Sequence, residues 1–173
     1  MRFHLVDRIE AVKPGKSLRA VKHLTLAEEY LADHFPTFPV MPGVLQLQAL
    51  VEAGTWLLRI SEGFARSVWS LREVRGVKYG TFVAPGHDLR ITVDLAKQDG
   101  PNAMLKGRGE VDGQQVIAAQ WTMAGYNLRD LNPAWSDRDA RLIQGLQDHY
   151  EWLTVRGPGV TNQESNVGNS GAR

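Results

Sequence analysis

The chain has 173 residues, 43% of them apolar and 23% charged, enough for one domain with a real core and too few for two ordinary ones. Twenty Lys and Arg against nineteen Asp and Glu leave a formal charge of +1, so no bulk electrostatic attraction to nucleic acid or to an anionic membrane is expected. The absence of cysteine removes disulfides, thiolate nucleophiles and sulfur-ligated metals from the candidate mechanisms.

The opening MRFHLVDRIE places Arg2, Asp7, Arg8 and Glu10 where a secretion signal needs an unbroken apolar run. The most apolar stretch, Ala49 to Ile60, is broken by Glu52 and Arg59 and is far shorter than the ~20 residues that span a bilayer. A soluble, cytoplasmic protein is expected. Phe3 to Val12 and Ser17 to Thr25 are rich in strand formers, and Pro14-Gly15-Lys16 between them predicts a hairpin. Leu26 to Pro42 carries prolines at 36, 39 and 42 and reads as a structured loop.

From Gly43 to about Ile60 apolar residues cover most of a helical circumference, which predicts a buried helix. Strands follow from Gly63 to about Asn127. The clearest alternates Leu89, Ile91, Val93 and Leu95 with polar neighbours, and Asp112-Gly113 marks a tight hairpin. Ser136 to Leu153 places Ile143, Leu146, Tyr150 and Leu153 on one stripe, predicting a second helix on an outer surface. Residues 156–173 are polar, Gly-rich and aperiodic, and read as a disordered tail. One buried helix against an antiparallel sheet is an α+β arrangement. The expected division is a domain over 1–130, a helical extension over 131–155 and the tail.

The stretch from Asp33 to Leu50, DHFPTFPVMPGVLQLQAL, resembles the HFPxxPxMPGVL signature of 3-hydroxyacyl-acyl-carrier-protein dehydratases. The likeness extends through LVDRIEAVKPGKSLRAVKHLT, VAPGHDLRITVDLAK and GEVDGQQV, over about residues 3 to 127. The resemblance, rather than composition or periodicity, implies a hot-dog fold: an antiparallel sheet wrapped around one long central helix, here with an additional C-terminal helix. It also implies the activity, loss of water from a 3-hydroxyacyl thioester on acyl carrier protein to give a 2-enoyl thioester.

On this resemblance His34 is the general base, and imidazoles, which titrate near neutrality, suit that work. Three prolines hold the loop that carries it. Gly43, without a side chain at the helix start, offers an N–H where backbone donors are unpaired and the dipole is positive, so it is the candidate oxyanion donor. Phe35, Pro42, Gly43 and Val44 are the candidate substrate contacts. The alternative for His34 and Gly43 is a histidine satisfying a buried carbonyl and an ordinary helix start.

The resemblance implies a Glu or Asp on the helix, fourteen residues after the histidine, that in the dimer faces the histidine of the partner subunit as the second catalytic group; this chain has Gln48 there. A carboxamide hydrogen-bonds a hydroxyl but does not cycle a proton near neutral pH. Glu52, one turn later, occupies the position where family members often carry Gln. It lies about 6 Å along the axis from Gln48 on the same face, so it acts on a substrate only if that binds deeper or through a water. Gln48, Glu52, Thr55 and Arg59 alternatively form a polar stripe that satisfies itself at a dimer seam. Thr37, where the family usually has glycine after His-Phe-Pro, adds a side chain beside the loop and is expected to narrow the entrance.

The implied partners are an acyl carrier protein loaded with a 3-hydroxyacyl chain and a second copy of the chain, as a homodimer or a trimer of dimers. A heterodimer with an active homologue is the alternative assembly. Arg66, Arg72, Arg75 and Lys78 are candidate carrier contacts, with an ordinary solvated face as the competing reading. No cofactor, metal, nucleic acid or membrane partner is expected, and His4, His23, His87 and His149 are read as structural. Three functions stay open: the dehydratase, a catalytically degenerate partner subunit or acyl-thioester-binding protein, and a hot-dog thioesterase using a carboxylate such as Glu52.

Overall fold

A computed structural model of the chain describes residues 4–155. Both the first residue of the expected opening strand, Phe3, and the expected tail at 156–173 lie outside that range. Strands β1 (Arg8–Lys13) and β2 (Ser17–His23) form the expected antiparallel hairpin. Its turn closes with Lys16 N–H donating to Lys13 O at 2.9 Å, and Gly15 takes a φ of 70°, which a side chain would resist. The strand starts later than the sequence suggests: of the lead-in 4–7, only Asp7 joins the ladder, its N–H donating to Val21 O at 2.9 Å. The rest of the lead-in is bound instead by a helix residue described below.

The proline-rich loop folds into one 3-10 turn, Glu29–Ala32, then runs without regular structure to helix α1 (Gly43–Ser61). Leu31 at the turn's centre is buried in the core and anchors it. Ala49, Leu50, Ala53, Trp56, Leu57 and Leu58 bury α1 nearly all round, as its apolar circumference requires.

Strands β3 (Val68–Tyr79), β4 (Asp88–Asp99), β5 (Asn102–Val111) and β6 (Gln114–Tyr126) complete a six-stranded sheet of order β1-β2-β4-β5-β6-β3, every pair antiparallel. Leu89, Ile91 and Val93 on β4 alternate inward and are buried, and α1 lies against β2, β4, β5 and β6, so the sheet wraps the helix. This is the hot-dog arrangement. Asp112 and Gly113 both have positive φ, 50° and 79°, giving the tight β5–β6 turn read from the sequence.

After the short helix α2 (Leu128–Leu131) and a 3-10 turn at Pro133–Trp135, helix α3 (Ser136–Val155) returns over the molecule. Asp139, fully buried, accepts from the N–H groups of Leu128 at 2.9 Å and Arg129 at 3.3 Å and so fixes the hinge between α2 and α3. The expected stripe then docks: Leu153 is buried, Leu146 and Tyr150 pack on the core, and the Tyr150 ring stacks on Trp56 of α1 at 6.4 Å.

Candidate active site

The loop that carries His34 is a closed hydrogen-bonded unit. His34 N–H donates to Tyr30 O at 3.1 Å, reaching back to the 3-10 turn. Val40 N–H donates to His34 O at 3.0 Å, and Phe35 and Phe38 exchange backbone bonds at 3.2 and 3.0 Å. The far end is docked by Met41 N–H to Val83 O at 2.8 Å and by the buried Gln46 side chain, whose Nε2 donates to Met41 O at 3.3 Å. The His34–Phe35 peptide is cis, and the two rings stack with centroids 4.2 Å apart.

His34 is half-buried, and its Nδ1 lies 2.9 Å from Val40 O. A carbonyl oxygen only accepts, so Nδ1 carries the hydrogen and the lone pair of the neutral ring sits on Nε2. The expectation that His34 meets a backbone carbonyl and the expectation that it is a base are therefore compatible: one nitrogen is tied and the other is left as an acceptor.

Val40 is three residues before Gly43, a reach of at most about 10–11 Å. Pro42 caps the helix start, and its carbonyl accepts from Leu45 at 2.9 Å and Gln46 at 3.1 Å. The first two amides of α1, Gly43 and Val44, have no preceding turn to donate to. Gly43 also has a packing reason to lack a side chain, because a Cβ there would stand 2.9 Å from the Tyr79 ring. Sequence reasoning gave no hint of Tyr79, which arrives from the end of β3, 36 positions away.

Around these residues the surface is apolar and open: Phe35 is 49% exposed, Val44 68%, and Phe38 and Phe82 meet edge to face at 5.6 Å while both remain exposed. Gln48 lies exposed on α1. Glu52 does not share its surroundings. Its Oε2 accepts from Leu5 N–H at 2.8 Å, it receives a second backbone bond from Val6, and His4 Nδ1 lies 3.6 Å from Oε1. Burial pushes its carboxyl above the usual value, a shift opposed by those bonds and by His4.

Along the rest of the expected polar stripe, Glu52 and Arg59 stay close enough for the carboxylate's charge to oppose the effect of burial on the guanidinium. Thr55 turns back to Val51 O at 2.8 Å, and Arg59 lies over Trp56 at 5.3 Å with its guanidinium pushed down to about 10, chiefly by burial. The candidate carrier contacts separate: Arg66 folds onto Glu62 and over Trp69 at 5.5 Å, and Arg75 pairs with Glu73 at 2.8 Å. Arg72 stays exposed, and Lys78 borders a 410 Å³ cavity with Lys106, Arg108 and Asp94. Among the described residues no group of three or more His, Asp or Glu side chains could hold a metal ion.

Residues 1–120 match the family model for the FabA-like domain. The 3-hydroxyacyl-[acyl-carrier-protein] dehydratase FabZ of Anaeromyxobacter sp. (strain Fw109-5) is 40% identical over 123 residues, 69% of this chain and 78% of that protein. The FabZ of Albidiferax ferrireducens is 38% identical over 125 residues, 70% and 83% of the two chains. Among solved structures, the dehydratase heterocomplex ApeI:P from Xenorhabdus doucetiae superposes with a TM-score of 0.62 at 16% identity, over 77% of this chain and 90% of that one. A mutant thioesterase, PA1618 (Q49A) from Pseudomonas aeruginosa, superposes at 0.56 and 17%, over 70% and 81%. At such identities the two structures speak for the fold alone, whereas the sequence matches carry the family: this chain belongs to the FabA-like family, among the FabZ-type 3-hydroxyacyl-[acyl-carrier-protein] dehydratases.

Proposed function

We propose that the chain removes water from 3-hydroxyacyl thioesters carried on acyl carrier protein, giving trans-2-enoyl thioesters in fatty-acid or related lipid synthesis. The observation that supports this best is the bond from His34 Nδ1–H to Val40 O, which leaves Nε2 as a base a few residues before the free amides of α1. In this reading Nε2 takes the C2 proton of the substrate while Gly43 N–H donates to the thioester oxygen, where negative charge develops. The C3–O bond then breaks, and the imidazolium returns the same proton to the departing hydroxyl as water. Gln48 stays a hydrogen-bond partner for that hydroxyl, and Phe35, Pro42 and Val44 give the acyl thioester an apolar bed. No helix among the described residues is long and apolar enough to cross a membrane, which suits a cytoplasmic enzyme.

A second reading is kept because the residue at 48 is a carboxamide: the chain is a partner subunit or acyl-thioester-binding protein that pairs with an active homologue. Turnover of a 3-hydroxyacyl carrier substrate, read as enoyl product, separates the two. The dehydratase reading expects activity in the wild type and a loss of about 10²–10⁴-fold in His34→Ala. Activity absent from the wild type but created by Gln48→Glu establishes the partner reading instead. In the same assay Glu52→Gln keeps wild-type turnover if Glu52 serves the N-terminal segment, and abolishes it if Glu52 is the acid.

A further inference from the structure

Under the His34 loop the buried Lys22 sits between two partly exposed carboxylates, a charge cluster that the reaction does not use. Lys22 on β2 is 5% exposed, and its Nζ meets Glu28 Oε1 at 2.6 Å and Asp7 Oδ2 at 3.3 Å. Asp7 also accepts from His23 N–H at 2.7 Å, so it is fixed on the sheet. Glu28 is the residue that opens the 3-10 turn, and Leu31 N–H donates to its carbonyl at 3.0 Å. Tyr30, inside that turn, has its hydroxyl pushed up by burial and by the charges of Glu28 and Asp7. The same residue's carbonyl accepts the N–H of His34. A continuous path therefore runs from the sheet through Lys22 and Glu28 to the turn, and through Tyr30 O to the histidine.

We propose that Lys22, clamped between Asp7 and Glu28, is a positioning residue for His34: it fixes the 3-10 turn against β2 and thereby the place and tautomer of the imidazole. Mere attachment of the loop does not require an ion pair. Leu24 and Leu31 already bury apolar side chains at its base, and replacing buried ions by apolar groups is often neutral or stabilising. An ammonium between two carboxylates instead sets direction, because each of its donors must find an oxygen. The turn has one seat on the sheet rather than a range of them.

The proposal rests on the dehydratase reading for its kinetic consequence and stands apart from it for its structural one. Full-length wild type, Glu28→Gln, Lys22→Arg and the surface control Arg90→Gln are compared by turnover and by long-range ¹H–¹⁵N NMR of ¹⁵N-histidine protein. Expected for folded Glu28→Gln is a kcat at least tenfold lower with KM within twofold, and a His34 signal that moves from the Nδ1–H form toward Nε2–H. Lys22→Arg, which keeps a cation between the carboxylates, retains the Nδ1–H form, and Arg90→Gln matches the wild type in both measurements.

A folded Glu28→Gln protein with wild-type kcat, or with an unchanged His34 tautomer, overturns the proposal. Should Glu28→Gln fail to fold, Asp7→Asn loosens Lys22 from the other side and is judged by the same criteria. If the wild type shows no turnover, the dehydratase reading falls, and the tautomer comparison alone decides the positioning role.

Discussion

Glu52 is a carboxylate whose surroundings only partly compensate its charge. Its backbone bonds from Leu5 and Val6 favour the ionised form, but burial outweighs them and raises its pKa above the ordinary 4.5. A carboxyl whose folded pKa is raised contributes its full stability below the unfolded value and loses it as pH climbs through the folded one. Glu52→Gln keeps an acceptor for Leu5 N–H and never ionises. Its melting temperature relative to wild type should therefore rise between pH 4 and pH 8, and a pH-independent difference between the two proteins would contradict this account. At the same scale the loop was legible because His34, the prolines and Gly43 fall together in one short segment. The partners of Glu52 were not, since Leu5 is 47 positions away and nothing local announces an amide waiting there.

At the level of elements, α1 and the sheet meet through one large ring. Trp121 on β6 lies between two glycines: a Cβ on Gly54 of α1 would stand 2.7 Å from it, and a Cβ on Gly107 of β5 also 2.7 Å. Gly54→Ala therefore forces the ring or the helix to move, and overpacking of this kind costs about 1–3 kcal/mol. Urea denaturation should show that loss with an unchanged m-value; a variant as stable as wild type would mean that the helix and sheet separate more easily than their packing suggests.

The helices and hairpins were legible because their signals are local: a buried circumference for α1, a stripe for α3, Pro14-Gly15 and Asp112-Gly113 for two turns. What stayed hidden was set by distant contacts. β1 starts late because the lead-in is drawn to Glu52, and the 3-10 turn at Glu29–Ala32 depends on Lys22 and the core pocket of Leu31. In β3 the register slips between Leu71 and Glu73 and again between Arg75 and Lys78, the extra residue lying in β3 each time and the second slip holding Gly76 at a φ of 59°.

For the whole molecule, the sheet has two outer strands with different fates. α3 packs against β1, whereas β3, twelve residues long, closes the other side with no further strand beside it among the described residues. An open edge of that length is a template for pairing with another chain. Sedimentation of the wild type should therefore give twice the chain mass, or six times it for a trimer of dimers, and a monomer would contradict the self-association that the family resemblance implies. The ring contact between His4 and His149, with centroids 4.3 Å apart, has a further consequence. It brings the lead-in beside the last two turns of α3, so a short linker can join positions 4 and 155 into a circularly permuted protein opened at Gly100, in the β4–β5 turn. Such a rearranged chain should give a wild-type far-ultraviolet dichroism spectrum, since the order of synthesis matters less here than which surfaces meet.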